Sequence, residues 1–311
     1  MTPPAAPGNQ AARRLGWGRG RLHNFIKRLR HALDYAAFRL LAAIFGSLPL
    51  EAASSFSGAC WRLVAPHLKR HKRALDNLAI AFPEKNLGER ERIARAMWDN
   101  LGRTFAEFFH LAEILESDRI QLDPSPQFAA LRAAAPSAIV CGMHMGNWEI
   151  VVVAALRSGF KPAGVYQKIT NPLVDDYVPR MRAPLYPGGL LEKSSRTAVQ
   201  LMRIAKAGGC AAFLADQRDS RGLVVPFFGR PAPSAAFPAH LAETFDLPLY
   251  AFRVKREKGA RFSIKTEPVP LRRSGDRHAD IAATTAALQA TYERFIREAP
   301  EQWMWAHRRW A

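Results

Sequence analysis

From residue 137 onward, short apolar runs recur at intervals with helix-like stretches between them, and this alternation constrains the fold more than any other feature. Ser137-Ala-Ile-Val-Cys-Gly142 is the clearest run, and others lie at 162–166, 210–215 and 247–254. The intervening stretches at 171–183, 194–207 and 236–245 carry helical spacing. A continuous apolar run with β-branched residues marks a strand buried on both faces, and parallel strands are covered in that way. Parallel neighbours need long crossovers, which the helical stretches supply. The chain is therefore predicted to be α/β, with a mixed, mostly parallel sheet flanked by helices. Residues 261–267 alternate like an edge strand, and 277–298 reads as a closing helix.

The first 125 residues read differently, as helices. Residues 69–76 form a basic helical segment that Asn77-Leu-Ala-Ile-Ala-Phe82-Pro83 closes at the proline. A helix over Gly88 to Leu115 places Ile93, Met97, Leu101, Phe105, Phe108 and Phe109 on one face. The expected organisation is a mobile tail at 1–20, a membrane-associating helical segment at 21–68, and one α/β domain over 69–311. There is no internal repeat.

The assignment of 21–68 rests on charge. Lys and Arg number 45 against 27 Asp and Glu, a net charge of +18. With 48% hydrophobic and 10% aromatic residues this is a folded chain whose excess cations face something acidic: nucleic acid, anionic lipid or an acidic protein. Positions 1–39 hold eight Lys/Arg against Asp34 alone. Behind that polybasic lead, Leu22, Phe25, Ile26, Leu29 and Leu33, then Leu40, Leu41, Ile44 and Phe45, recur at helical spacing. The apolar stretch Leu40 to Leu50 falls short of the ~20 residues a spanning helix needs. Two readings follow: a helix lying on an anionic membrane surface, or one packed on the protein's own core. No signal peptide is recognisable. Nucleic acid is not expected, because the cations gather near the N-terminus and neither a zinc finger nor an RNP-type aromatic motif occurs. Cys60, Cys141 and Cys210 are far apart, so a disulfide framework and a Cys-type zinc site are both unexpected.

The chemistry concentrates in Gly142-Met-His144-Met-Gly146-Asn147-Trp148-Glu149, directly after the first strand. On a regular helix His144 and Glu149 would point about 140° apart. A turn at Gly146, with Asn147 capping a helix from Trp148 to Arg157, would bring His144 to the strand's carboxyl end and Glu149 into the first helical turn. Open α/β sheets bind ligands there. Glu149 could then fix the His144 tautomer and leave the other ring nitrogen as a general base. The alternative is a capped turn whose histidine bonds a backbone carbonyl. No metal is expected, because the His-Glu-x-x-His spacing is absent, and no cofactor is expected either.

His144-Met-Gly-Asn-Trp-Glu149 resembles the H-x4-D/E motif of the lysophospholipid acyltransferase superfamily, in the form found in bacterial lipid A biosynthesis acyltransferases. The resemblance extends over roughly residues 25–310. It includes Arg73-x3-Asn77-Leu-Ala-x2-Phe82-Pro83, Tyr166 with Asn171-Pro172 and Asp175, and Asp216-Gln217-Arg218. Val225-Pro-Phe-Phe-Gly229 and the ending Pro300-Glu-Gln-Trp303-x-Trp305-x-His307-Arg-Arg309 belong to it as well. It implies an enzyme of the inner membrane's cytoplasmic face that moves a fatty acyl chain from acyl carrier protein to a hydroxyl of a phosphorylated glycolipid. It also implies His144 as general base with Glu149 orienting it. Backbone N–H groups near Gly146 or a nearby arginine would serve the oxyanion. Arg182 and Arg218 are expected to serve it or to bind acceptor phosphates, with a structural ion pair as the alternative. Asn147, Asp216 and Gln217 complete the expected substrate-binding set. The chain departs from the family pattern at Tyr166-Gln167-Lys168 and over Arg230 to Phe237. Trp303, Trp305 and Trp310 would lie in an interfacial belt or close the core.

Overall fold

The computed structural model describes residues 9–133 and 137–310. Five helices come first: α1 (Asn9–Ser47), α2 (Leu50–Val64), α3 (Lys69–Ala81), α4 (Leu87–Glu107) and α5 (Leu111–Glu116). Next come β1 (Ile120–Leu122), α6 (Pro126–Ala133), β2 (Ala138–Gly142), α7 (Val153–Arg157), β3 (Pro162–Tyr166), α8 (Pro172–Arg182), β4 (Gly189–Glu192), α9 (Ser195–Lys206) and β5 (Cys210–Leu214). A hairpin of β6 (Arg218–Phe227) and β7 (Arg230–Ser234) leads to α10 (Phe237–Phe245), β8 (Leu249–Arg256), β9 (Phe262–Val269) and α11 (Arg277–Glu298).

Seven strands form one sheet in the order β1-β9-β8-β2-β5-β3-β4, parallel at every pairing except β8 with β9. The expected α/β architecture is the one observed. β2 is buried along its whole length, as its unbroken apolar run requires. Successive side chains face opposite sides, so two cores form. Ile139, Cys141, Ala211 and Ala251 join the layer of α9, α10 and α11, while Val140, Ala212, Tyr250 and Phe252 join the layer that contains α7 and α8. Cys141 and Cys210 are buried, and burial pushes the Cys210 thiol up to about 12.

Several expectations need correcting. The segment expected as an edge strand, β9, is interior, because the three-residue β1 pairs outside it and is too short to register as a pattern. The single helix expected over 88–115 breaks at a 3₁₀ turn, Phe108–His110, where the His110 ring takes up the Phe45 carbonyl at 2.8 Å. The helix expected over 148–157 is a 3₁₀ turn, Trp148–Ile150, followed by α7. Residues 9–20 of the expected tail belong to α1, since a helix propagates at one hydrogen bond per residue once nucleated. Residues 1–8 lie outside the described residues.

Trp303 and Trp305 are fully buried and so close the core; they form no interfacial belt. Their indole N–H groups donate to Asp216 and to the Pro300 carbonyl, both at 2.7 Å. Trp310 is half-buried and donates to the Phe227 carbonyl. Among the described residues no helix is long and apolar enough to cross a membrane.

Candidate active site

β2 and β5 are adjacent and parallel, with Gly142 level with Leu214. Two residues past each strand, His144 and Asp216 are therefore level too, at the carboxyl edge where the chain's crossovers diverge to either side. Asp216 Oδ1 lies 2.8 Å from His144 Nδ1, and Asp216 Oδ2 accepts the His144 backbone N–H at 2.9 Å. The Trp303 indole also donates to Oδ2, so the carboxylate is fully engaged. Burial alone would raise the Asp216 carboxyl. The rings of His144 and His307 and the His144 hydrogen bonds instead hold it well below the usual carboxylate range. An ionised Asp216 fixes the proton on Nδ1 and leaves Nε2 as an acceptor, where the Gln217 amide nitrogen sits at 3.0 Å.

The carboxylate on His144 is thus Asp216, which corrects the expected pairing with Glu149. Asn147 accepts the Glu149 N–H at 3.2 Å, and the 3₁₀ turn this starts carries the Glu149 side chain toward α8. There it accepts two hydrogen bonds from Arg182, from Nε and Nη2, each at 2.6 Å. Burial would lower the Arg182 guanidinium, but Glu149 more than offsets this and raises it. Arg182 forms the ion pair that was the alternative reading of this residue. Arg218 is exposed at the start of β6, opposite Ser234, and lines no part of the cavity beside His144.

Asn147 is buried and is not on the wall of the cavity beside His144; it belongs to the support of the turn. Its Nδ2 donates to Glu107 Oε2 at 2.9 Å. Glu107, wholly buried, also accepts from Ser54 at 2.7 Å and from both Nη atoms of Arg256. Arg256 Nε in turn donates to Asn100, whose Nδ2 reaches the Gly146 carbonyl at 3.0 Å; Thr104 donates to the same carbonyl at 2.9 Å. Of the N–H groups expected near Gly146 as oxyanion donors, that of Gly146 itself is engaged by the Gln302 carbonyl at 3.1 Å. Gly146 has φ +60°, and a Cβ there would lie 2.3 Å from the Val254 carbonyl, so only glycine fits. Sequence reasoning missed Glu107, Arg256 and Asn100, because no local pattern links them to the motif.

His307 packs edge-on against His144 with ring centroids 5.7 Å apart, and its Nε2 has no hydrogen-bond partner among the described residues. Burial pushes its imidazole from 6.5 down to about 4, outweighing the upward pull of Asp216. Between those two pH values the unfolded chain holds a proton that the folded chain does not. Stability should therefore fall by up to about 3 kcal/mol as pH drops through this window. Denaturant titrations from pH 7 to pH 4 should show that slope, and His307→Gln should flatten it.

His144, Gln217, Glu149 and Arg182 lie on the wall of a cavity of about 860 Å³, whose other walls are mostly apolar. A base with a fixed tautomer beside an apolar cavity suits transfer chemistry on an amphiphile. Individually curated proteins give no match to the chain. The sequence pattern of the bacterial lipid A biosynthesis acyltransferases matches residues 23–311, which include every residue of this site. The chain belongs to the bacterial lipid A biosynthesis acyltransferase family.

Proposed function

We propose that the protein transfers a fatty acyl chain from acyl carrier protein to a hydroxyl of a phosphorylated lipid A precursor, at the cytoplasmic face of the inner membrane. The observation that carries this reading is His144, held by the buried Asp216, on the wall of a mostly apolar cavity. The acceptor hydroxyl takes the place of the Gln217 amide at Nε2. Its oxygen attacks the thioester carbon while Nε2 takes its proton, and Asp216 stabilises the imidazolium that forms. Collapse of the tetrahedral intermediate breaks the C–S bond, and the imidazolium returns the proton to the leaving sulfur. The products are an ester and the carrier's free thiol. Arg182 Nη1, which Glu149 leaves free, is the donor offered to the oxyanion.

The membrane part of the proposal rests on α1. Phe25, Ile26, Leu29, Leu33, Leu40 and Ile44 are exposed along one face, with Phe25 at 64% and Leu33 at 62%. On the other face Phe38 and Phe45 pack onto Phe109. An apolar face turned outward on a basic helix fits an anionic bilayer surface better than the protein's own core.

Acyl carrier protein loaded with a saturated chain, a phosphorylated acyl-disaccharide and the purified protein should together yield an ester-linked chain. In addition, lipid A from cells lacking the protein should lose one secondary acyl chain by mass spectrometry. Acylation of a lysophospholipid and not of the disaccharide would keep the chemistry and overturn the acceptor.

A further inference from the structure

The His144–Asp216 contact joins the ends of two strands, and an aspartate side chain is too short to make up for a slip between them. Both ends are tied to one face of α11. Tyr292 Oη donates to the Gly142 carbonyl at 2.8 Å, and the same carbonyl accepts the Ala215 N–H at 3.1 Å. Three residues earlier, and so on the same face of the helix, Gln289 Nε2 donates to the Ala215 carbonyl at 3.0 Å. Gly142 ends β2 two residues before His144, and the Ala215 carbonyl belongs to the peptide that leads into Asp216. The direction of the Gln289 amide is fixed, because its Oε1 faces the Arg309 guanidinium at 3.1 Å, a group that only donates. Arg309 is anchored in turn by the Pro233 carbonyl at 2.9 Å and the Ser234 hydroxyl at 2.8 Å, at the end of β7. All three side chains, Gln289, Tyr292 and Arg309, are wholly buried. These acceptors of Arg309 carry no charge, and burial lowers its guanidinium to about 10.

We infer that Gln289 and Tyr292 are positioning residues for the transfer site: they hold the ends of β2 and β5 level and so set the Nδ1–H···Oδ1 contact that fixes the His144 tautomer, with Arg309 aiming the Gln289 amide. This deepens the acyl-transfer reading and rests on it, since His144 Nε2 is the base there. Packing alone does not call for these two residues. Leu288, Phe295 and Ile296 of the same helix fill the core, and a buried amide or phenol costs more than an apolar side chain unless it is hydrogen-bonded. Their donors go to the strand ends that carry the pair. The segment after α11 reaches the same two residues, with the Trp303 indole on Asp216 Oδ2 and the Met304 N–H on the His144 carbonyl at 3.0 Å. The pair is thus held from α11 and from its continuation, and attack geometry is sensitive to displacements well under an ångström.

Three substitutions in the full-length protein separate positioning from stability. Tyr292→Phe removes one hydroxyl and keeps the ring. Gln289→Glu keeps an acceptor for Arg309 and loses the donor to Ala215, whereas Gln289→Met loses both. Each variant is assayed for kcat and KM with loaded acyl carrier protein and a phosphorylated acyl-disaccharide, for its urea midpoint, and for the proton NMR signal of His144 Nδ1–H, which lies farther downfield the stronger its bond to Asp216. Tyr292→Phe and Gln289→Glu should each lower kcat about 10-fold, leave KM within about 2-fold, and move the proton upfield. Gln289→Glu gives the buried Arg309 a carboxylate, so its midpoint should exceed that of Gln289→Met while its kcat is no higher. Should Gln289→Met fail to fold, the other two carry the test. Wild-type kcat in Tyr292→Phe and Gln289→Glu, or a lowered kcat with the proton unmoved, overturns the inference while acyl transfer stands. A wild-type protein that acylates no disaccharide, with the proton still moved in both variants, overturns the proposed function and leaves the positioning of His144 by α11 in place.

Discussion

His144→Ala should lower kcat for acyl transfer by about 10²- to 10⁴-fold, and Asp216→Asn should approach the same loss with KM nearly unchanged. The asparagine has the shape of the aspartate, but its NH₂ group cannot accept the Nδ1 proton. With that nitrogen facing Nδ1, the imidazole moves its proton to Nε2, where no base is then left. The Trp303 indole and the His144 N–H, both now donating to Oδ2, would still hold one oxygen, so the fold survives while the tautomer changes. Nitrogen-15 NMR of the labelled histidine would read this directly: Nδ1–H in the wild type, Nε2–H in Asp216→Asn. Glu149→Gln separates the two carboxylates of the site. It breaks the paired hydrogen bonds to Arg182 and should slow transfer, yet it should leave the His144 tautomer as it is. A wild-type tautomer in Asp216→Asn together with a switched one in Glu149→Gln would restore Glu149 as the orienting group.

The part of this site closest to the sequence surface is His144 with its turn. Gly146 and Asn147 behave as their types suggest, with positive φ at one and a side-chain cap at the other. The Asp216 contact was almost within reach: both strands were visible as apolar runs, and level strand ends would have placed 144 beside 216. What no run of residues states is that β2 and β5 are neighbours, because β3 and β4 intervene in the chain. Strand order is set by how helices cover the two faces, and periodicity within a strand carries no record of it. β2, β5 and β8 were legible because both their faces are buried. β1 and β4 are short, and the β6–β7 hairpin mixes Pro226, Pro231 and Pro233 with arginines, which hides its strand character. Its turn places Phe228 and Gly229 both at positive φ, and the Phe228 N–H is held by Glu293 at 2.7 Å, a contact 65 residues away that local reading does not see.

Glu107→Leu should destabilise the folded protein by about 3–5 kcal/mol, because it strands the Arg256 charge in the interior. The wild-type carboxylate satisfies Ser54, Asn147 and Arg256 together, and Arg256 is itself packed over the Phe262 ring at 5.0 Å. Urea titration would measure the loss as a lowered midpoint at constant slope. Adding Arg256→Met should recover most of it, since a buried ion pair replaced as a unit by apolar side chains is often close to neutral. Activity should not return with stability. Asn147 would still lack the acceptor for its Nδ2, and Asn100 would lack the guanidinium that fixes its amide against the Gly146 carbonyl. A turn free to shift by a few tenths of an ångström no longer holds His144 against Asp216, and attack geometry is sensitive to displacements on that scale. A double variant that regains its midpoint but stays slow would assign the buried pair to positioning. If kcat recovers along with the midpoint, the pair serves stability alone, and the turn is held well enough by Thr104 and Gln302.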